Sequence, residues 1–90
     1  MTDKFGNKIE TGDYVVRHNG SPYSYPEVLY RIAGIDEVKD RIFIVPVLGW
    51  YVEFDFEKAC ENPAKYIMEH YGCFSPTHKT IVKTYKPDTL

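Results

Sequence analysis

Residues 41–57, RIFIVPVLGWYVEFDFE, form the longest apolar and aromatic run of the chain and decide its fold. From Trp50 onward, large apolar side chains occupy every second position, which is the period of a β-strand with one buried and one solvated face. The residues predicted to be buried are Trp50, Val52, Phe54 and Phe56. The residues predicted to face solvent are Tyr51, Glu53, Asp55 and Glu57. The pattern therefore predicts a strand over residues 50–57.

The first half of the same run predicts a strand that is buried on both faces. The residues from Ile42 to Val45 are all apolar, so neither face of an extended chain is polar there. Pro46 and Gly49 then interrupt the run, as residues do at a bend or at a sheet edge. We expect Ile42 and Ile44 to join the core together with the apolar side chains of residues 50–56.

Turn residues and β-branched residues place the remaining strands. Gly6-Asn7 and Thr11-Gly12-Asp13 are predicted turns, because glycine and asparagine tolerate a positive φ. Runs rich in valine, isoleucine and tyrosine predict strands at residues 14–18, 28–35 and 80–85. Charged residues 36–40 predict the turn that leads into Arg41.

A short helix is predicted at residues 62–71, after a single helical turn at residues 58–61. Asn62 suits the N-cap, Pro63 suits the first helical position, and Gly72 suits the residue that follows the last turn. The face expected to lie on the sheet comprises Ala64, Ile67, Met68 and Tyr71.

The first fifth of the chain resembles the opening of small SH3-like barrels. The resemblance lies in the order Asp3, Gly6, Ile9, Gly12-Asp13 and Val15, where a turn and a Gly-Asp-x-Val step lead into the first strand. The stretch is also similar to the opening of short bacteriophage proteins of unassigned role. The resemblance implies a mostly β fold, a small antiparallel SH3-like barrel with one short helix before its last strand. The length of 90 residues, without repeats or a linker, predicts one such domain over residues 1–90.

Charge and composition limit the classes of partner. The formal charge of −2 argues against a general polyanion binder, because counterion release requires an excess of lysine and arginine on one face. A local basic patch remains open, since the tail carries His78, Lys79, Lys83 and Lys86. The chain shows no signal-peptide pattern and no apolar run near the roughly 20 residues of a membrane span, so we expect a cytoplasmic protein without a membrane partner. For a phage-encoded protein this would be the host cytoplasm.

Four residues are of types that bind zinc or form the catalytic site of a thiol enzyme, but their spacing favours neither a zinc site nor a catalytic site. They are Cys60, His70, Cys73 and His78. Zinc sites usually pair their ligands at short spacing, and no Cys-x2-Cys occurs here, so no metal or other cofactor is predicted. A nucleophilic Cys73 with His70 or His78 as its base would need an orienting group and an oxyanion site, and no motif indicates them. Free thiols are expected, and a disulfide between the two cysteines remains open.

The carboxylates of the predicted strand raise the possibility of acid–base catalysis. Glu53, Asp55 and Glu57 would lie about 6.5–7 Å apart on one face, a separation that suits a general acid and base. Catalysis would require one carboxyl in a drier pocket than the other, and three acids on an open face lack that asymmetry. The glycines match no phosphate-binding loop. The chain is therefore predicted not to be an enzyme.

Two tyrosines in a proline-bounded loop are the best candidates for recognition. Tyr23 and Tyr25 stand between Pro22 and Pro26, and rigid aromatic side chains lose little entropy when they bind. The SH3-like resemblance places this loop in a ligand groove with Tyr51. The alternative is that the loop folds back and plugs the end of the barrel. The predicted partner-binding residues are Tyr23, Tyr25, Tyr51, Glu53 and Asp55.

These observations predict a non-enzymatic protein-binding module, of the kind of phage accessory protein that binds and modulates a host or phage protein. Nucleic-acid binding through the tyrosine loop and the basic tail is the alternative, and a small zinc or thiol enzyme is the third candidate. The sequence leaves the oligomeric state and the partner open.

Overall fold

A computed structural model describes residues 1–17, 29–48, 55–71 and 77–86 of the chain. It contains four strands and two α-helices in these ranges. In chain order they are β1 (Tyr14–Arg17), β2 (Leu29–Asp36), β3 (Arg41–Leu48), α1 (Phe56–Glu61), α2 (Pro63–Tyr71) and β4 (Ile81–Thr84). A short 3-10 helix, His78–Thr80, leads into β4.

The four strands form one antiparallel sheet in the order β3-β2-β1-β4. β2 and β3 are joined by a turn at residues 37–40, as the charged sequence predicts. β4 returns from the far end of the chain to lie beside β1. Within the described ranges β3 and β4 are the two edges and do not pair with each other, so these four strands form an open sheet. The predicted mostly β class is confirmed in this form.

Both faces of the sheet are packed, and each has its own apolar cluster. The first cluster comprises Ile9, Val15, Ile32, Ile42, Ile44 and Ile81. The second comprises Ala33, Val45 and Ala59, with Phe56, Cys60 and Tyr66 packed against it. β3 contributes Ile42 and Ile44 to one face and Val45 to the other, all fully buried. The prediction that this strand is buried on both sides is therefore confirmed.

The predicted turns and the early strands are also confirmed. Gly6 and Gly12 have φ angles of +85° and +98°, the left-handed conformations that favour glycine. Between them the chain brings Ile9 over the first cluster, where it is 2% exposed. β1 and β2 lie where valine, isoleucine and tyrosine predict them.

The predicted strand over residues 50–57 is wrong at its C-terminal end. Helix α1 begins at Phe56, and Asp55 is its N-cap, with Asp55 Oδ1 accepting a hydrogen bond from the backbone N–H of Lys58 at 3.2 Å. An aspartate at the N-cap satisfies a backbone donor of the first turn, and this local interaction outweighs the apolar alternation. The other residues of that prediction, 50–54, lie outside the described ranges.

Phe56 lies against an arginine at the margin of the second cluster and is partly buried, instead of fully buried as predicted. Its ring is 4.0 Å from the guanidinium carbon of Arg31, and the ring of Tyr14 is 5.1 Å from that carbon. Arg31 Nε also donates to the carbonyl of Gly12 at 2.9 Å. The cation therefore stacks between a strand residue and a helix residue, which is a geometry that the planar guanidinium favours.

The bounds predicted for the second helix are confirmed, whereas the face predicted to lie on the sheet is confirmed at Ile67 and wrong at Ala64 and Met68. Asn62 Oδ1 accepts from the backbone N–H of Lys65 at 3.3 Å, as expected of an N-cap. Ala64 is exposed and Met68 is 58% exposed, whereas Ile67 is buried and the ring of Tyr66 packs on the second cluster. The buried stripe therefore lies one position earlier than predicted.

A close contact at Gly34 explains how α2 approaches the sheet. A Cβ atom on Gly34 would lie 2.7 Å from Cγ and 3.2 Å from Cβ of Pro63. The first turn of α2 therefore rests directly on the β2 backbone, which directs the stripe of Pro63, Tyr66 and Ile67 inward.

Replacing Gly34 by alanine is expected to lower the free energy of unfolding by about 1–3 kcal/mol, because overpacking must displace α2. Pro63→Ala removes the Cγ atom of the closest contact, so the double variant should lose less than the sum of the two single variants. Urea unfolding of the four proteins measures this coupling. Strictly additive losses would contradict the assigned contact.

Candidate interaction surface

The carboxylate of Asp3 connects the two ends of the described chain. Oδ1 accepts hydrogen bonds from the backbone N–H groups of Phe5 and Asn7, each at 2.9 Å. Oδ2 accepts from the side-chain amide of Asn7 at 3.2 Å and from the backbone N–H of Lys83 at 2.7 Å. Asp3 is only 2% exposed. It therefore holds the N-terminal turn closed and fastens that turn to β4.

These hydrogen bonds determine the charge state of Asp3. Burial by itself would raise the pKa of the carboxyl, but the donors of Lys83, Asn7 and Phe5 outweigh burial, so the pKa is lowered from its ordinary value. The carboxylate form is favoured in the folded protein.

The N-terminal turn covers the beginning of the outer edge of β4. The backbone N–H of Lys4 donates to the carbonyl of Ile81 at 2.9 Å, and Asp3 takes the N–H of Lys83. Ile81 and Lys83 therefore direct their backbone groups away from β1, whereas the alternate residues Val82 and Thr84 direct theirs toward β1. The edge is blocked at its start by a side chain and a turn instead of by another strand.

Beyond Asp3 a groove follows the same edge. We call it the tail groove; its lining residues are Asn7, Lys8, Lys83, Thr84 and Tyr85, and its volume is about 320 Å³. Tyr85 is 91% exposed, although its ring is large and largely apolar. Phe5, in the turn that covers the start of the edge, is 66% exposed. Two aromatic side chains, one on the N-terminal turn and one after the end of β4, therefore expose most of their surface.

Both lysines of the tail groove make exposed polar contacts. Lys83 Nζ donates to the carbonyl of Lys8 at 3.1 Å and lies 3.4 Å from a carboxylate oxygen of Asp13. Lys8 Nζ lies 3.4 Å from Glu10, and both side chains are more than two-thirds exposed. Ion pairs of this kind contribute little to stability, so both lysines can turn to a ligand at low cost.

Most of the predicted partner-binding residues lie outside the described ranges. Tyr23, Tyr25, Tyr51 and Glu53 belong to this group. Asp55 is exposed, as predicted, but it caps α1, and its backbone N–H donates to the hydroxyl of Tyr66 at 2.9 Å. The roles of all five in binding stay predictions. The sequence pattern did not indicate that Tyr85 and Asn7 line one groove, because only the packing of the N-terminal turn on β4 brings them together.

The candidate zinc or thiol residues are dispersed over different elements. Cys60 packs against the second cluster, and burial raises the pKa of its thiol, which disfavours the thiolate. His70 stacks on Tyr66 with 4.1 Å between ring centroids. Cys73 lies outside the described ranges. Within those ranges, no group of three or more histidine, cysteine, aspartate or glutamate side chains could hold a metal ion.

His78 pairs with Asp40 beside a second, more open pocket. Its Nδ1 is 2.6 Å from Asp40 Oδ1, and its backbone N–H donates to the same oxygen at 3.2 Å. The side-chain hydrogen bond from His78 lowers the pKa of the Asp40 carboxyl. The pocket is also lined by Met1, Thr2 and Glu37, and the Met1 amine lies 3.2 Å from Glu37. The contacts of His78 with Asp40 join the β2–β3 turn to the segment before β4, and the contact of Met1 with Glu37 joins the same turn to the N-terminus.

Scans of the chain against protein-family models, curated proteins and solved structures find no significant match. Among the helices in the described part of the chain, none is long and apolar enough to cross a membrane.

Asp3→Asn is expected to lower the free energy of unfolding by about 2–3 kcal/mol at neutral pH, because an amide cannot accept all four hydrogen bonds of the carboxylate. A carboxyl whose pKa is lowered on folding stabilises the protein above its unfolded pKa of about 3.9, and this contribution is lost as the pH falls through the folded pKa. The difference between the two proteins should therefore shrink below about pH 4.

Urea unfolding between acidic and neutral pH measures this dependence. Glu61→Gln is the control, because it removes a carboxylate from an exposed side chain at the end of α1. A difference between parent and Asp3→Asn that stays constant over the whole pH range would contradict the role assigned to Asp3.

Proposed function

We propose that this chain is a non-enzymatic module that binds a protein partner, with the tail groove as part of its binding surface. The observation that carries the proposal is Tyr85, whose ring is 91% exposed beside a groove at a sheet edge. Aromatic side chains are enriched at the centres of protein interfaces, where burial of a large ring contributes strongly to affinity.

The proposed architecture is an SH3-like barrel. Its support is the position of β4 beside β1, since the last strand of such a barrel lies next to the first, and the hairpin of β2 and β3 that continues the sheet.

The proposed role is that of a phage-type accessory protein, which binds a host or phage protein in the host cytoplasm and modulates it. This role is supported by the resemblance of the N-terminal stretch to short bacteriophage proteins. Fold analogy supplies an expectation of function and not a mechanism. The tyrosine loop, with Tyr23 and Tyr25, is proposed as the second part of the surface.

Nucleic-acid binding is the second candidate, and the composition of the tail groove favours it. Lys8 and Lys83 line the groove together with the exposed ring of Tyr85, and lysines beside an aromatic ring can hold a phosphate and a stacked base. Such binding would weaken steeply as the salt concentration rises, whereas an aromatic protein interface would depend on salt only modestly.

Tyr85→Ala is expected to weaken partner binding by about 2 kcal/mol or more if Tyr85 is an interface anchor. The free energy of unfolding should change by less than about 0.5 kcal/mol, because the residue is exposed and follows the last residue of β4. The parent chain, immobilised and incubated with host lysate, supplies the partner, and calorimetry with the purified partner then gives both affinities. Val38→Ala is the matched control, since Val38 is an apolar side chain that is 95% exposed in the β2–β3 turn.

The double variant Tyr23→Ala/Tyr25→Ala tests the tyrosine loop in the same way. A binding role predicts a large loss of affinity with thermal stability within about 1 kcal/mol of the parent. A plug role predicts a large loss of stability instead. The proposed surface would be refuted if both this variant and Tyr85→Ala bound the partner as tightly as Val38→Ala does.

A further inference from the structure

We propose that the outer edge of β4 at the tail groove binds an extended acidic segment of the partner as an added β-strand. This inference rests on the proposed function, and it names the partner's chemistry and its mode of binding. The edge, the groove and the charges of the groove each support it.

The outer edge of β4 presents a backbone carbonyl and a backbone N–H at the spacing that an added β-strand requires. The hydrogen bonds of Ile81 and Lys83 to the N-terminal turn show that these residues face outward from β1. Because the direction alternates along a strand, the carbonyl of Lys83 and the N–H of Tyr85 face the same way. Neither group has a hydrogen-bond partner among the described residues. Within the described part of the chain, an acceptor and a donor are therefore open on one edge, as in proteins that bind peptides by strand addition.

The groove provides the space that such a strand would occupy. It lies between Asn7 and Lys8 of the N-terminal turn and the segment from Lys83 to Tyr85. Asp3 already occupies the edge at the N–H of Lys83. A bound segment can therefore pair only with the C-terminal end of the edge, so the pairing is short and depends strongly on each hydrogen bond.

The charged side chains of the groove select an acidic segment. Lys8 and Lys83 are the charged residues among those that line it, and their present partners are the exposed Glu10 and the partly exposed Asp13. Side chains on alternate positions of a bound strand point the same way, so acidic residues at every second position could face both lysines. Exposed ion pairs contribute little to affinity, so charge would select the sequence while backbone pairing fixes the register.

The open carbonyl favours a polypeptide over a nucleic acid. A peptide backbone donates an N–H to Lys83 and accepts from Tyr85 at the spacing of a strand, whereas a phosphodiester backbone carries only acceptors, so a nucleic acid would have to bring a base edge or a sugar hydroxyl to the carbonyl. The net charge of −2 over the chain also disfavours a polyanion.

Two substitutions of Tyr85 distinguish the contribution of its backbone N–H to binding from the contribution of its ring. Tyr85→Pro and Tyr85→Ala both remove the ring, but only proline removes the N–H. The preceding residue, Thr84, is already extended in β4, which suits a residue before proline. The probe is a short acetylated peptide of alternating glutamate and valine with a fluorescent label. Its dissociation constant, measured by anisotropy, should be about tenfold higher for Tyr85→Pro than for Tyr85→Ala, at equal melting temperatures; tenfold corresponds to about one hydrogen bond.

Charge exchange and amide NMR complete the test. Lys8→Glu should raise the dissociation constant of the glutamate peptide and lower that of the same peptide with lysine in place of glutamate. In the parent chain, the glutamate peptide should shift the amide signal of Tyr85. No shift at Tyr85, or equal binding by the proline and alanine variants, would overturn the inference. Stronger shifts of the same signal with oligothymidine than with the peptide would also overturn it, in favour of a nucleic acid.

The natural partner distinguishes failure of this inference from failure of the proposed function. The purified partner could bind Tyr85→Pro as tightly as Tyr85→Ala but fail to bind the Tyr23→Ala/Tyr25→Ala variant. That result would refute strand addition and support the proposal that the chain is a protein-binding module. If none of these variants affects partner binding, both proposals are refuted.

Discussion

The carboxylate of Asp3 is the interaction on which the arrangement of both chain ends depends. It closes the N-terminal turn on itself and takes the backbone N–H of Lys83, so one buried side chain connects residues eighty positions apart. The turn then carries Ile9 onto the first apolar cluster. A hydrogen-bonded charge is costly to bury and more costly to leave unpaired, which makes this contact specific as well as stabilising. The tail groove begins at Lys83, next to the hydrogen bond between Lys83 and Asp3.

Packing on both faces lets a small sheet bury enough apolar surface to be stable. The N-terminal segment covers one face and the two helices cover the other, so Val45 and Ile44, adjacent in β3, are both fully buried. A domain of 90 residues buries a smaller share of its surface than a large protein, and a sheet with one open face would bury less still. The close approach of Pro63 to Gly34 is the steric condition for the helical side.

Much of this fold could be predicted from the sequence, and the errors have two causes. Turn glycines, β-branched runs and the Asn62-Pro63 helix start are local signals, and they placed β1, β2, β4 and α2 correctly. The sequence pattern assigned Asp55 to a strand because apolar and polar residues alternate on both sides of it, although aspartate is also a favourable N-cap residue, as it is here for α1. The inward face of α2 and the tail groove depend on contacts between distant segments, which no local pattern contains. The five predicted binding residues remain untested in that role.

The pairing of β4 with β1 has a consequence for synthesis on the ribosome. β1 is an inner strand of the described sheet, yet β4, one of its two neighbours, is synthesised some sixty-five residues later. The hydrogen bond between Asp3 and Lys83 spans a still longer stretch of sequence and also forms late. The nascent chain can form the β2–β3 hairpin early, but the edge of β1 stays open until residues 81–84 leave the exit tunnel. An exposed edge invites pairing with other chains, so the emerging protein passes through a stage in which its own last strand competes with foreign strands.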